Sequence, residues 1–187
     1  MNKVLFLWSG GLDSTACLYW HLKNTDYQIH VHHVKLLNRG KMMTRQLDAV
    51  NSMNPILQKV RPFELTTSTQ YAHILGDVFI CVIDGMRIAY AKEYDEIIVS
   101  TTINEGPPWP NLRMMTKVVQ AANQNDVYTK HKIKFNNPFR KTFTKEMCWN
   151  ELPKELQEKV WWCRSHDGEL CSECFQCTEM KKFKEIK

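Results

Sequence analysis

Two groups of residues in this chain have the types and spacing to do chemistry. The first is Ser9-Gly10-Gly11-Leu12-Asp13-Ser14-Thr15, which follows the apolar run Val4 to Trp8 and opens a helical stretch through about Lys23. Adjacent glycines let the backbone approach an anion closely and adopt positive φ. Ser9 and Ser14 add hydroxyl donors, and a helix start adds partial positive charge. The pattern is a phosphate cradle. It is neither Gly-x-x-x-x-Gly-Lys-Ser/Thr, since no lysine follows, nor Gly-x-Gly-x-x-Gly. Asp13 suits a magnesium ion that bridges to the phosphates. Spacing alone also admits a plain strand-to-helix turn with Asp13 or Ser14 as the cap.

The second group is metal-ligating. Of seven cysteines, Cys163, Cys171, Cys174 and Cys177 fall within fifteen residues, spaced Cys-x7-Cys-x2-Cys-x2-Cys. A Cys-x-x-Cys turn sets two thiolates on one ion, and a second pair closes a tetrahedral shell. Four thiolates leave no open position, so the metal is expected to be structural. Zinc fits first and an iron–sulfur cluster second. His166 is an alternative to one thiolate. An odd, clustered count argues against a disulfide framework. Cys17, Cys81 and Cys148 lie in apolar contexts and read as packed hydrophobes.

The elements that must position these groups alternate. Strands are expected at Val4 to Trp8, Gln28 to Leu37, Val60 to Thr66, Glu96 to Ser100 and Lys132 to Asn136. Helices are expected at 13–23, 41–53, 71–92 and 112–122, with another starting at Thr144. Pro107, Pro108 and Pro110 make 104–111 a loop. The pattern gives an α/β fold: a Rossmann-like parallel sheet with helices on both faces, plus a small C-terminal four-cysteine site. Such a sheet binds ligands at the C-terminal ends of its strands. Residues 1–160 read as the nucleotide-binding unit, and 161–187 as a metal-binding segment packed on it.

Composition excludes several classes. The chain has 187 residues, 43% hydrophobic and 24% charged, which is ordinary for one globular domain. No apolar run is long enough for a membrane span, and the N-terminus lacks a signal-peptide pattern, so a cytoplasmic protein is expected. The net charge of +5 suits a phosphate-bearing ligand without the bias of a dedicated nucleic-acid binder. Residues 111–145 hold eight Lys/Arg against the single Asp126. That stretch is a solvated basic face or an attractor of ATP or RNA. His30, His32 and His33 lie on the second strand and read as structural, with His33 or Lys35 as the candidates to reach a nucleotide.

The loop Ser9 to Thr15, directly after a hydrophobic first strand, resembles the pyrophosphate loop of the ATP pyrophosphatases. That resemblance implies adenylation: a substrate oxygen attacks the α-phosphate of ATP, and pyrophosphate leaves held by Ser9, Gly10, Gly11, Leu12, Asp13, Ser14 and Thr15. Together with Trp162-Cys163 and Cys171-Ser172-Glu173-Cys174-Phe175-Gln176-Cys177, the chain resembles the 7-cyano-7-deazaguanine synthase family over most of its length. The resemblance implies ATP, Mg2+ and Zn2+ as cofactors, with zinc on the four cysteines. It implies conversion of 7-carboxy-7-deazaguanine and ammonia to the 7-nitrile through an acyl-adenylate. It implies no membrane partner, no requirement for nucleic acid, and a homodimer as a common assembly.

Within that resemblance, Asp13, Ser14 and Lys145 carry the catalytic roles. Thr144-Lys145-Glu146 is similar to the family's Ser-Lys-x-Glu helix start, where the lysine approaches phosphates. A plain exposed lysine is the alternative, because helix N-termini favour anions. Asn104 and Trp109-Pro110-Asn111-Leu112-Arg113 are similar to substrate-pocket segments, giving Asn104, Trp109, Asn111 and Arg113 as substrate residues. Asn111 and Leu112 stand where the family has aspartate and cysteine. An aspartate only accepts from a guanine-like N–H edge, whereas asparagine also donates. The Gly-Gln-Arg/Lys-His segment after the second strand has only Asn38-Arg39-Gly40-Lys41 as its nearest counterpart. The rival readings are a pyrophosphate-loop ligase with another acceptor (a modified base, tRNA or protein) and a nucleotide-binding module without turnover.

Overall fold

The computed structural model describes residues 2–37, 40–71, 76–103, 110–125, 131–165 and 168–182, apart from the side chains of 110–112. Its sheet begins with β1 (Lys3–Leu7), whose last four residues are buried. The chain then forms α1 (Leu12–Asn24), β2 (Gln28–Leu36), α2 (Lys41–Val60), β3 (Glu64–Gln70), α3 (Asp77–Ala91) and β4 (Glu96–Ile98). It continues with α4 (Pro110–Asn123), β5 (Lys134–Asn136), a 3-10 turn at Pro138–Lys141, α5 (Lys145–Glu151), α6 (Lys154–Gln157) and α7 (Phe175–Lys181).

The strands form one five-stranded sheet in the order β3-β2-β1-β4-β5, and every pairing is parallel. Alternate residues of β1 feed two cores. Val4 and Phe6 pack with α1 and α2 residues such as Leu18, Val50 and Leu57. Leu5 and Leu7 pack with Val82 and Ala89 of α3 and Met115 and Val119 of α4. Burial on both faces is why β1 reads as a continuous apolar run rather than an alternating one. The connections leave β1 toward β2 on one side and β4 on the other. The strand order therefore reverses beside β1, where open parallel sheets form a crevice at their carboxyl ends.

Several boundaries differ from the sequence expectation. Helix α2 runs to Val60 rather than 53, with Pro55 inside it. A proline costs a helix one hydrogen bond, but Ala49, Val50, Met53 and Leu57 are buried on both sides of it. The third strand is Glu64–Gln70 rather than 60–66, because Val60 and Pro62 belong to the end of α2 and its turn. Helix α3 starts at Asp77 rather than 71, after Gly76 at φ 74°. Thr144 caps α5 by accepting a hydrogen bond from the Met147 amide at 3.2 Å.

Candidate functional site

The loop after β1 is built for close approach. Gly10 has φ +76°, and a Cβ there would lie 2.9 Å from the Gln46 carbonyl oxygen of α2. Only glycine fits this position. Gly11 is the N-cap of α1 and supplies no side-chain cap. Asp13 and Ser14 therefore lie inside the first turn, which rules out either one as the cap. Thr15 accepts a hydrogen bond from the buried Trp8 indole at 2.9 Å, fixing the helix start to the end of β1. The Ser9 and Ser14 hydroxyls are 2.9 Å apart, and Ser14 donates to the Gly11 carbonyl at 3.2 Å. First-turn amides have no acceptor within their own helix, so this end of α1 favours an anion.

Asp13 and Lys145 meet here. The Lys145 ammonium lies 2.8 Å from one Asp13 carboxylate oxygen and 3.0 Å from the other. Both residues are buried, so Lys145 is not the exposed lysine of the alternative reading. Its place at the first position of α5, capped by Thr144, brings a cation into the crevice. Ser100, just past β4, donates to the Asp13 carbonyl at 2.9 Å and ties the other side of the crevice to α1.

A cavity of about 280 Å³ opens over this loop. Ser9, Gly11, Leu12, Asp13, Ser14 and Lys145 all line it. Gly10 and Thr15 lie beneath, Gly10 against α2 and Thr15 against Trp8. Sequence reasoning missed further walls: His32 and Val34 of β2, Asp77 of α3, and Trp161 and Gln176 of the C-terminal segment. The Trp161-Trp162 doublet directly before Cys163 was the available signal for the last wall. Among the described residues His32 borders the cavity rather than His33 or Lys35. His33 turns to the Trp8 carbonyl instead, at 2.9 Å from its Nδ1. Of the expected substrate residues, Arg113 is exposed on α4 and is not part of the wall. Asn104, Trp109 and the Asn111 side chain lie outside the described residues, as do Asn38, Arg39, Asp126 and His166.

Beneath the His32 wall runs a buried polar chain. Ser68 donates to Asp84, and His32 Nε2 lies 3.1 Å from the same carboxylate. His32 Nδ1 reaches the Thr66 hydroxyl at 2.8 Å, His30 Nε2 reaches it at 2.7 Å, and His30 Nδ1 meets the Tyr94 hydroxyl at 2.7 Å. Burial pushes the Asp84 carboxyl up, but the donors Ser68, His32 and Arg87 outweigh it and hold Asp84 below the usual carboxylate range. Burial lowers both His30 and His32 and keeps them neutral at physiological pH.

The second candidate centre is the cysteine cluster. The Sγ atoms of Cys163, Cys171, Cys174 and Cys177 all lie within 4.8 Å of one another. A tetrahedral shell of four thiolates at about 2.3 Å from a metal places the sulfurs about 3.8 Å apart, so the set fits. Backbone amides already point at the sulfurs: Ser165 and Cys171 donate to Cys163 Sγ at 3.3 and 3.4 Å, and Cys174 donates to Cys171 Sγ at 3.3 Å. The amides of Cys174 and Glu173 draw the Cys171 thiol down to about 6, while burial pushes Cys177 up to about 12 and Cys163 up as well. Thiols so crowded ionise together only around a cation, and the cluster can hold a metal such as zinc. Cys17 and Cys148 are fully buried in the α1 core, as expected of packed hydrophobes.

Fold and site define an α/β protein with a five-stranded parallel sheet, a glycine loop under a crevice and a four-cysteine cluster beside it. No protein-family model matches the chain, and no curated protein sequence matches it. Among the described residues no helix is long and apolar enough to cross a membrane.

Proposed function

We propose that this chain is an ATP-dependent carbon–nitrogen ligase of the pyrophosphate-loop type, with the adenine nucleotide α-hydrolase-like fold. Its substrates are 7-carboxy-7-deazaguanine and ammonia, and its product is the 7-nitrile. The observation that carries the reading is the convergence of Ser9, Gly11, Leu12, Asp13, Ser14 and Lys145 on one cavity at the strand ends. The spacing of the four cysteines supports the narrower family, with zinc as the resident metal.

The chain's own residues position and neutralise. Gly10 and Gly11 bring backbone close to the β- and γ-phosphates, and the Ser9 and Ser14 hydroxyls turn from each other to phosphate oxygens. Lys145 balances the charge that gathers on departing pyrophosphate. Magnesium, carried in with ATP, supplies charge neutralisation across the phosphates, and Asp13 is the residue that would hold it. The substrate carboxylate oxygen bonds to the α-phosphorus, and the α–β bridging bond breaks to release pyrophosphate. Ammonia then attacks the acyl carbon, AMP leaves, and loss of a proton gives the amide. The amide oxygen then attacks the α-phosphorus of a second ATP and expels a second pyrophosphate; the nitrogen gives up its two protons as that oxygen departs on AMP, leaving the nitrile. No catalytic triad is required, because the work is positioning.

Asn111 and Leu112 favour a second reading, in which the same loop adenylates another acceptor. A pyrophosphate-release assay separates the two. ATP with 7-carboxy-7-deazaguanine and ammonium should release pyrophosphate. Release only with a different acceptor would support the second reading, and none with any acceptor would support a binding module.

A further inference from the structure

The cysteine cluster and the glycine loop are not independent in space. Cys163 belongs to the cluster and also lines the cavity. Two residues before it, the Trp161 amide donates to the Gly10 carbonyl at 3.1 Å. The Trp161 carbonyl oxygen sits 3.4 Å from where a Cβ on Gly11 would stand. The strap that leads into the cluster thus crosses both glycines, backbone against backbone.

The far side of the same strap is fixed to α2. Arg45 Nε donates to the Gly168 carbonyl, between Cys163 and Cys171, at 2.7 Å. The Arg45 guanidinium also lies over the Trp161 ring, 5.8 Å from its centroid. Gly168 has φ +73°, and a Cβ there would come within 2.7 Å of the Lys41 Cβ, so the loop is seated directly on the first turn of α2. One turn further on, Gln46 of α2 presses on Gly10 from below. Helix α7, which carries Cys177 of the cluster, returns Gln176 to the cavity and Met180 to the core. Among the described residues from 161 to 174 there is no helix or strand to hold this shape. The four sulfurs meet where its two ends come together.

We infer that a metal on Cys163, Cys171, Cys174 and Cys177 is a clamp for the anion loop: loading it orders Trp161 to Arg164 against Gly10–Gly11 and raises the cavity's affinity for a pyrophosphate-bearing nucleotide. Cross-linking closes the loop and removes its conformational freedom, which the nucleotide otherwise has to restrict on binding. Coupling of this kind is reciprocal, so the nucleotide tightens metal binding by the same factor. The nature of the ligand rests on the proposed function; the clamp itself does not.

The test uses the full chain, zinc-loaded and chelator-stripped. Amide hydrogen exchange is read at residues 9–14 and at 161–164, and calorimetry reads binding of magnesium–ATP and of inorganic pyrophosphate. Stripping should speed exchange in both segments while β1 and β2 stay protected. It should weaken nucleotide binding about tenfold or more, in the range of ordinary coupling energies, and zinc should restore it. Equal protection of residues 9–14 with and without metal overturns the clamp, as does measurable nucleotide binding of equal affinity in the two forms. Metal-dependent protection without ATP binding in either form leaves the clamp standing and removes the nucleotide reading. If stripping unfolds the chain, zinc-loaded Arg45→Ala decides. It cuts the staple with the cluster filled, and should speed exchange at 9–14; unchanged exchange there overturns the inference.

Discussion

Lys145 places its ammonium against both carboxylate oxygens of Asp13, at 2.8 and 3.0 Å, across 132 positions of sequence. The two groups assigned to opposite charges of a magnesium–nucleotide complex are, without it, each other's counter-ions. This pair keeps a buried aspartate and a buried lysine tolerable in the same crevice, and under the proposed function it opens to admit phosphates.

Removing one partner therefore does more than remove a ligand. Asp13→Asn leaves the Lys145 ammonium buried without its carboxylate and should cost about 3–5 kcal/mol of stability, the usual penalty for an orphaned buried charge. Asp13→Asn combined with Lys145→Met should recover much of that loss in urea unfolding. Purely additive losses in the double variant would show that the pair is not coupled. Pyrophosphate release is expected to vanish in Asp13→Asn, in Lys145→Met and in the double variant.

Gly10 and Gly11 make separable predictions. Gly10→Ala forces a left-handed backbone and a contact with the Gln46 carbonyl, so it should cost about 2 kcal/mol or more. Gly11 has φ −80°, and alanine there should change stability by less than about 1 kcal/mol. Urea midpoints compare the two directly, and equal effects would contradict the loop geometry.

The buried histidines set a pH dependence. Burial lowers His21, His30, His32 and His33 below their ordinary value. Above about pH 6.5 both folded and unfolded states hold them neutral, and stability is full. As pH falls below that value the unfolded chain takes up protons that the folded chain refuses. Stability then falls by at most about 1.4 kcal/mol per pH unit for each histidine that stays neutral, until the folded histidines titrate. The urea midpoint should drop between pH 7.5 and 5.5, and a flat profile would contradict their neutral burial.

Much of this was legible in sequence, for local reasons. The loop is contiguous, and its place after a doubly buried strand follows from the run Val4 to Trp8. The cysteines are legible because three of them sit at two-residue spacings. Strand β3 was misplaced because Glu64–Gln70 is an edge strand of Thr and Ser whose partners are His30 and His32, not an apolar run. The Asp13–Lys145 pair was half visible: each residue stood out in its own motif, but nothing local says that they touch. The Trp161–Gly10 contact joins segments about 150 positions apart and had no sequence signal beyond the tryptophan doublet.

The cluster predicts about one zinc per chain by elemental analysis, as a closed four-thiolate site requires. Zinc should shield the four clustered thiols from alkylation under native conditions, and chelation should expose them while Cys17 and Cys148 stay protected by burial. Equal labelling with and without chelator would rule out a metal on these sulfurs.

The most direct test of the central claim is a mass-spectrometric product assay with zinc-loaded protein, ATP, magnesium, ammonium and 7-carboxy-7-deazaguanine. The account predicts the 7-nitrile, with AMP and pyrophosphate formed alongside it. An amide alone would mean that only the first activation operates. No product and no AMP from a folded, zinc-loaded chain would contradict the assignment.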